Sequence, residues 1–122
     1  MSSSVHAKCR TIDRSSIEEA AKELGIKLQE FPNGAIGFQN TQFKFDEKGN
    51  VDVKYYKDHV DECRKTKQLS QLGTYFSSIK RLNKAGLSCT KSLKDVVLAV
   101  KSNQKLKLEF EEQEQEQVTV NA

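Results

Sequence analysis

The segment Thr66 to Leu87, TKQLSQLGTYFSSIKRLNKAGL, constrains this chain more than any other. Leu69, Leu72, Phe76, Ile79 and Leu82 recur at intervals of three and four, which gathers side chains on one stripe of an α-helix. Gly86 follows the stripe, where a left-handed residue commonly closes a helix. Lys80, Arg81 and Lys84 crowd its last turns, where positive charge suits the helix dipole. A seam of this length must lie on other structure, and no other segment is long enough to roof a sheet. Gly73 interrupts it at a cost of about 1 kcal/mol relative to Ala, which points to close approach to the sheet or a mild kink rather than to a partner's backbone passing there.

The rest of the chain supplies strands and one shorter helix. Val5 to Ile12 fits an edge strand. Ser15 and Glu18 fit a capping box ahead of Ile17, Ala20, Ala21 and Leu24, so the spacing predicts a helix over Ser16–Leu24. Ile26 to Gln29 alternates apolar and polar residues, Phe31-Pro32-Asn33-Gly34 is a turn, and Ala35 to Phe38 is a second short strand. Phe43 to Phe45 and Val51 to Tyr55 flank a Gly-containing loop as a hairpin, with Phe43, Phe45, Val51, Val53 and Tyr55 on the core face. Asp58 is placed to cap the next element, either one helix from His59 to Lys84 or an early turn leading into the main helix; the second arrangement is expected. Val97 to Val100, Ser102-Asn103-Gln104 and Leu106 to Phe110 read as a closing hairpin. The expectation is an α+β fold: a mainly antiparallel sheet of five to six strands with two helices on one face, in the order β-α-β-β-β-β-α-β-β. Residues 1–110 are expected to form one domain, and 111–122 a flexible Glu/Gln-rich acidic tail in which Val118 and Val120 belong to a floppy terminus rather than to a short docking peptide.

Charge divides the chain unevenly. The net +3 combines 7 basic and 8 acidic groups in 1–53, 13 basic and 4 acidic in 54–107, and five Glu with no base in 108–122. So basic a middle block invites an anionic partner, unless the acidic tail folds back over it. Arg64, Lys65, Lys67, Lys80, Arg81, Lys84, Lys91 and Lys94 are candidates to meet phosphates, with Tyr55, Tyr56 and Tyr75 as candidates to stack on bases. The longest apolar run, Val96 to Val100, is too short to span a bilayer, and the first ten residues lack the apolar run of a signal peptide. Three widely spaced cysteines, Cys9, Cys63 and Cys89, argue against a disulfide framework and for a reducing compartment, the cytoplasm or an organelle stroma.

Motifs for chemistry are sparse. His59 and Cys63 share a helix face, and His6, Cys9 and Cys89 offer further ligands, but zinc sites usually carry two close-spaced pairs, so neither metal nor cofactor is expected. Arg64 and Lys65 beside Cys63 favour a thiolate, yet nothing marks a partner to orient His59 as its base. Paired carboxylates occur only as sequence neighbours, and no phosphate-loop, dinucleotide or nucleophile-elbow motif is present. The expected function is a non-catalytic accessory or adaptor protein that binds another protein. A nucleic-acid binder using 54–107 is the alternative, and a Cys63/His59 enzyme comes third.

Several anchors together resemble the hypothetical chloroplast reading frame 35 group. They are Thr11-Ile12, Leu24-Gly25, Ile36-Gly37-Phe38, Tyr55-Tyr56, and Leu69, Gln71, Tyr75, Leu82 and Gly86 along the long helix. The resemblance covers 5–110 and implies a small domain with a terminal hairpin. It carries no activity with it. The chain departs from the group's pattern at its opening and in the charged run Lys57–Lys67, which stands where the group has a Trp-rich segment.

Overall fold

The structure is a computed structural model that describes residues 4–9, as backbone, and residues 12–112. Ten elements follow one another: β1 (Ser4–Cys9), α1 (Arg14–Leu24), β2 (Gln29–Glu30), β3 (Ile36–Phe38), β4 (Thr41–Phe45), β5 (Val51–Tyr56), α2 (Val60–Lys84), β6 (Leu87–Cys89), α3 (Leu93–Lys101) and β7 (Phe110–Glu112). The first five strands form an antiparallel sheet in the order β1-β5-β4-β3-β2, and β6 pairs with β7 in a separate ribbon. The fold is α+β, with the expected order intact through the long helix.

Register fixes which residues enter the core. Phe43 stands opposite both Ile36 and Val53, Phe45 opposite Val51, and Phe38 opposite Thr41. Directly opposed residues share a face, so the inner face is the set predicted from alternation, with Ile36 and Phe38 added. Ile17, Ala20 and Ala21 of α1, Leu69, Leu72 and Tyr75 of α2, and Val96 and Val100 of α3 complete one buried cluster with it. Leu69 and Leu72 are fully buried, and Phe76 and Ile79 pack against the cluster from its margin. The seam of the long helix is therefore buried in the shared core, with α2 packing chiefly against α1 and more lightly against β6, α3 and β5.

Four local expectations are corrected. Leu93–Lys101 is a helix where a strand was expected at Val97–Val100. Ser92 caps it by accepting from the Asp95 N–H at 3.2 Å, and Val96 and Val100, four apart, bury completely. The Ser102-Asn103-Gln104 turn is the exit of that helix, with Asn103 at φ 55° and the Gln104 N–H donating to the Ala99 carbonyl. Valine-rich runs favour strands intrinsically, but packing against α2 overrides that preference. The closing pair is β6 with β7 instead.

Second, Asp13 caps α1, accepting from the Ser16 N–H at 2.8 Å, in place of the Ser15/Glu18 box. Third, α2 runs unbroken for 25 residues and starts after His59, with no side-chain cap from Asp58. Fourth, Gly73 makes its close approach to α1 rather than to the sheet. A Cβ there would stand 2.9 Å from Ile17 Cδ1 and 3.2 Å from Ile12 Cγ2. The tail beyond Glu112, expected to be flexible, lies outside the described residues.

One turn went unread in the sequence. Phe38 pairs with Thr41 across Gln39-Asn40, a two-residue hairpin with Gln39 at φ 53°. Any Cβ at Gly37 would overlap the Thr41 carbonyl oxygen, so only glycine fits the tightness of this hairpin.

Candidate interaction groove

The two flanks of α2 are treated differently. On the α1 side, polar ties close the contact. The Asp13 N–H donates to Ser77 Oγ at 3.1 Å, and Lys80 Nζ donates to Ser15 Oγ at 2.8 Å and lies 3.8 Å from Asp13 Oδ1 and 3.7 Å from Glu19 Oε1. Partial burial alone would raise the Asp13 carboxyl, but hydrogen bonds from Ser16 and Ser15 and the Lys80 charge outweigh it, so its pKa lies below the usual 3.8. At the front of α2, Thr41 Oγ1 and Thr66 Oγ1 share a buried hydrogen bond of 3.1 Å, and Asn40 Nδ2 donates to Glu62 Oε1 at 3.1 Å. Glu62 is 7% exposed, and its Oε2 is buried without a hydrogen-bond partner among the described residues.

On the other flank the helix stands away from the sheet. A groove of about 580 Å³ opens there, lined by Ile12, Val53, Tyr55 and Lys57 on one side and by Cys63, Thr66, Lys67, Ser70, Gln71 and Thr74 of α2 on the other. That volume lies inside the usual range of ligand-binding clefts. Val53 and Tyr55 belong to β5 next to the edge strand β1, whose other side pairs with no strand of the sheet. Apolar and hydroxyl groups form the body of the groove, and the exposed ammonium groups of Lys57 and Lys67 stand at its rim. Val60, 75% exposed at the first turn of α2, precedes Cys63 and Lys67 at helical spacing and extends the apolar surface outward.

The basic candidates fall into groups that the sequence did not separate. Lys80 is committed to α1 through the contacts above, and Arg64 Nη2 lies 2.6 Å from Asp61 Oδ1. Lys65, Lys67, Arg81, Lys84, Lys91 and Lys94 form no ion pair with any described residue. Lys67, Thr74 and Arg81 recur every seven residues, so they share one stripe of α2, with Lys84 one turn beyond. Lys91 and Lys94 stand apart, around the start of α3.

The three tyrosines also part company. Tyr55 lines the groove, Tyr56 packs its ring on His59 at 5.3 Å, and Tyr75 is 4% exposed against the edge of Phe76. Burial, and then the nearby Cys89, push the Tyr75 hydroxyl above its usual pKa of 10.0. Tyr75 therefore has no ring face to offer a base, which corrects its place among the candidate contacts.

Cys63 and His59 do not face one task. The Cys63 thiol donates to the Tyr56 carbonyl at 3.1 Å, whereas His59 presents Nδ1 to Glu62 Oε1 at 3.4 Å. Among the described residues no three His, Cys, Asp or Glu side chains are grouped to hold a metal ion, and Cys63 and Cys89 are unpaired. Nor is any helix among them long and apolar enough to cross a membrane. The groove itself was missed in the sequence. Its signal is the run Thr66, Ser70 and Thr74 along a helix whose neighbouring stripe is leucine-rich, with Tyr55 and Lys57 in step with the core-facing residues of β5. No family model matches this chain, nor does a curated protein or a solved structure match it.

Proposed function

We propose that this protein is a non-catalytic adaptor that holds an apolar segment of a protein partner in the groove between α2 and β5. The observation that carries this reading is the groove's chemistry. It has a greasy floor of Ile12, Val53 and Tyr55, a wall of small hydroxyl residues, and two lysines at the rim. Such a site gives an extended or helical peptide apolar anchorage, while the lysines favour acidic flanks. A reducing compartment suits the unpaired Cys63 and Cys89. We read the chain as a divergent relative of the chloroplast reading frame 35 group, supported by the place of its anchors. Ile36-Gly37-Phe38 is β3, Tyr55-Tyr56 ends β5, and Leu69 to Leu82 lie along α2.

A photo-crosslinking side chain at Gln71, on the groove wall, tests the reading. Cross-linked partner is expected from Gln71 and not from Leu98, which is 64% exposed on α3, and Thr74→Trp, which fills the groove, abolishes it. Equal labelling from both positions, or labelling indifferent to Thr74→Trp, overturns the proposal.

Nucleic-acid binding is the second reading, favoured by the six candidate cationic side chains that form no ion pair with any described residue. It demands binding that falls steeply with salt, as phosphate contacts do. Charge reversal of Lys67, Arg81 and Lys84 together removes that binding if this reading holds, and leaves RNA and DNA affinity untouched if it does not.

A further inference from the structure

We propose that the segment this groove takes is an amphipathic α-helix of the partner, about three to four turns long, whose apolar stripe is flanked on both sides by acidic residues. This rests on the groove reading above and decides between its extended and helical forms.

Hydrogen bonding decides the form. A buried extended segment brings a row of backbone N–H and C=O groups that must find partners. Neither side of the groove has them to give. Val53 and Tyr55 belong to β5, whose two edges are taken by β1 and β4. The backbone of α2 is bonded within its own helix. Most hydrogen-bonding side chains of the wall are engaged as well. Thr66 Oγ1 shares its hydrogen bond with Thr41, the Thr74 hydroxyl donates to the Ser70 carbonyl at 2.7 Å, and the Cys63 thiol donates to the Tyr56 carbonyl at 3.1 Å. The Ser70 hydroxyl and the Gln71 amide remain, too few for a strand of several residues. A helix bonds its own backbone and asks the groove only for apolar contact.

Length agrees. From Cys63 to Thr74 the wall advances 11 residues along α2, about 16 Å, and from Val60 it advances 14, about 21 Å. Ile12, which sits against Gly73, closes the end beside Thr74, so the exposed Val60 marks the open end and meets one end of the incoming helix. Ser70 and Thr74 are small, which lets a second helix axis come close to that of α2.

Charge sets the flanks. Lys57 stands on the sheet side of the rim and Lys67 on the α2 side. Both are exposed, and neither forms an ion pair with any described residue. A helix seated between them meets a cation along each side of its apolar stripe. Asp or Glu on both sides complements the site, as charged residues do beside the seam of a coiled coil.

A display library of random peptides about 16 residues long, enough to fill the groove as helices, tests this on the full-length protein, with counter-selection on Thr74→Trp. Enriched peptides are expected to carry apolar residues at intervals of three and four, with Asp or Glu on either side. The tightest of them, made synthetically, gains helical circular dichroism on binding, and a proline at its centre abolishes binding. Val60→Ser, an exposed change that keeps the fold, weakens binding several-fold, and Lys57→Glu with Lys67→Glu weakens it further.

The outcomes separate this inference from the reading beneath it. Enrichment of alternating apolar residues, or binding that tolerates the central proline, overturns the helix and keeps the groove. Helical peptides without acidic residues, bound equally well after both lysine changes, overturn the stated partner chemistry. If no peptide responds to Thr74→Trp or to Val60→Ser, the groove reading falls and takes this inference with it.

Discussion

The two flanks of α2 are built from similar residues to opposite ends. On one, Gly73, Ser77 and Lys80 meet α1, where a missing Cβ lets Ile17 and Ile12 touch the helix and hydrogen bonds tie down the start of α1. On the other, Thr66 reaches Thr41 of β4, but Ser70 and Thr74 meet the sheet across open space. Small residues permit close approach, but they do not cause it. Whether a stripe of Ser, Thr and Gly becomes a seam or a groove depends on whether another element comes near enough to use it.

The same added bulk is expected to act differently on the two flanks. Gly73→Leu forces new atoms against Ile17, where a Cβ alone already stands at 2.9 Å, and overpacking of this kind costs about 1–3 kcal/mol. Ser70→Leu, one turn earlier and in the groove, stays within about 0.5 kcal/mol of the parent protein. Urea unfolding of the two variants checks this. Equal losses mean the groove is closed in solution.

Removing the polar ties gives a smaller effect. Asp13→Ala deletes the α1 cap and one partner of Lys80, with an expected loss of about 1 kcal/mol by urea midpoint. Lys57→Ala and Lys67→Ala on the open flank leave the midpoint unchanged.

The smallest effect is a pH dependence confined to the sealed flank and the β4–β5 loop. Asp13 has a depressed pKa for the reasons given above. Asp46 does too, because the Asn50 N–H donates to it, with a second bond from Lys48. A carboxyl held lower when folded than unfolded adds stability above its usual value of 3.8. That stability is lost as pH falls through the folded pKa. Urea midpoints measured down through this range should decline, and Asp13→Asn should flatten the curve in part. A curve identical to that of the parent protein would remove Asp13 from the account.

Much of the sheet was legible because its signal is local. Phe43, Phe45, Val51 and Val53 alternate, and alternation has one physical meaning on a pleated strand. Asp13 was passed over as a cap because Ser15 with Glu18 matches a familiar pattern, while the better acceptor stands two residues earlier. The groove was illegible for a different reason. Thr66 is buried against Thr41 while Ser70 and Thr74 stay half-exposed, and nothing in their identities distinguishes them.

Sequence alone determined the long helix, its leucine seam, the core face of the strands and the concentration of positive charge after residue 53. Each follows from periodicity or composition, which need only neighbours in the chain. Tertiary structure decided that Leu93–Lys101 is helical, that Lys80 and Tyr75 are occupied internally, and that α2 closes on α1 while standing off β5. Those outcomes depend on contacts between residues dozens of positions apart. There the free energy of packing exceeds the fraction of a kcal/mol by which local propensity favours one conformation over another.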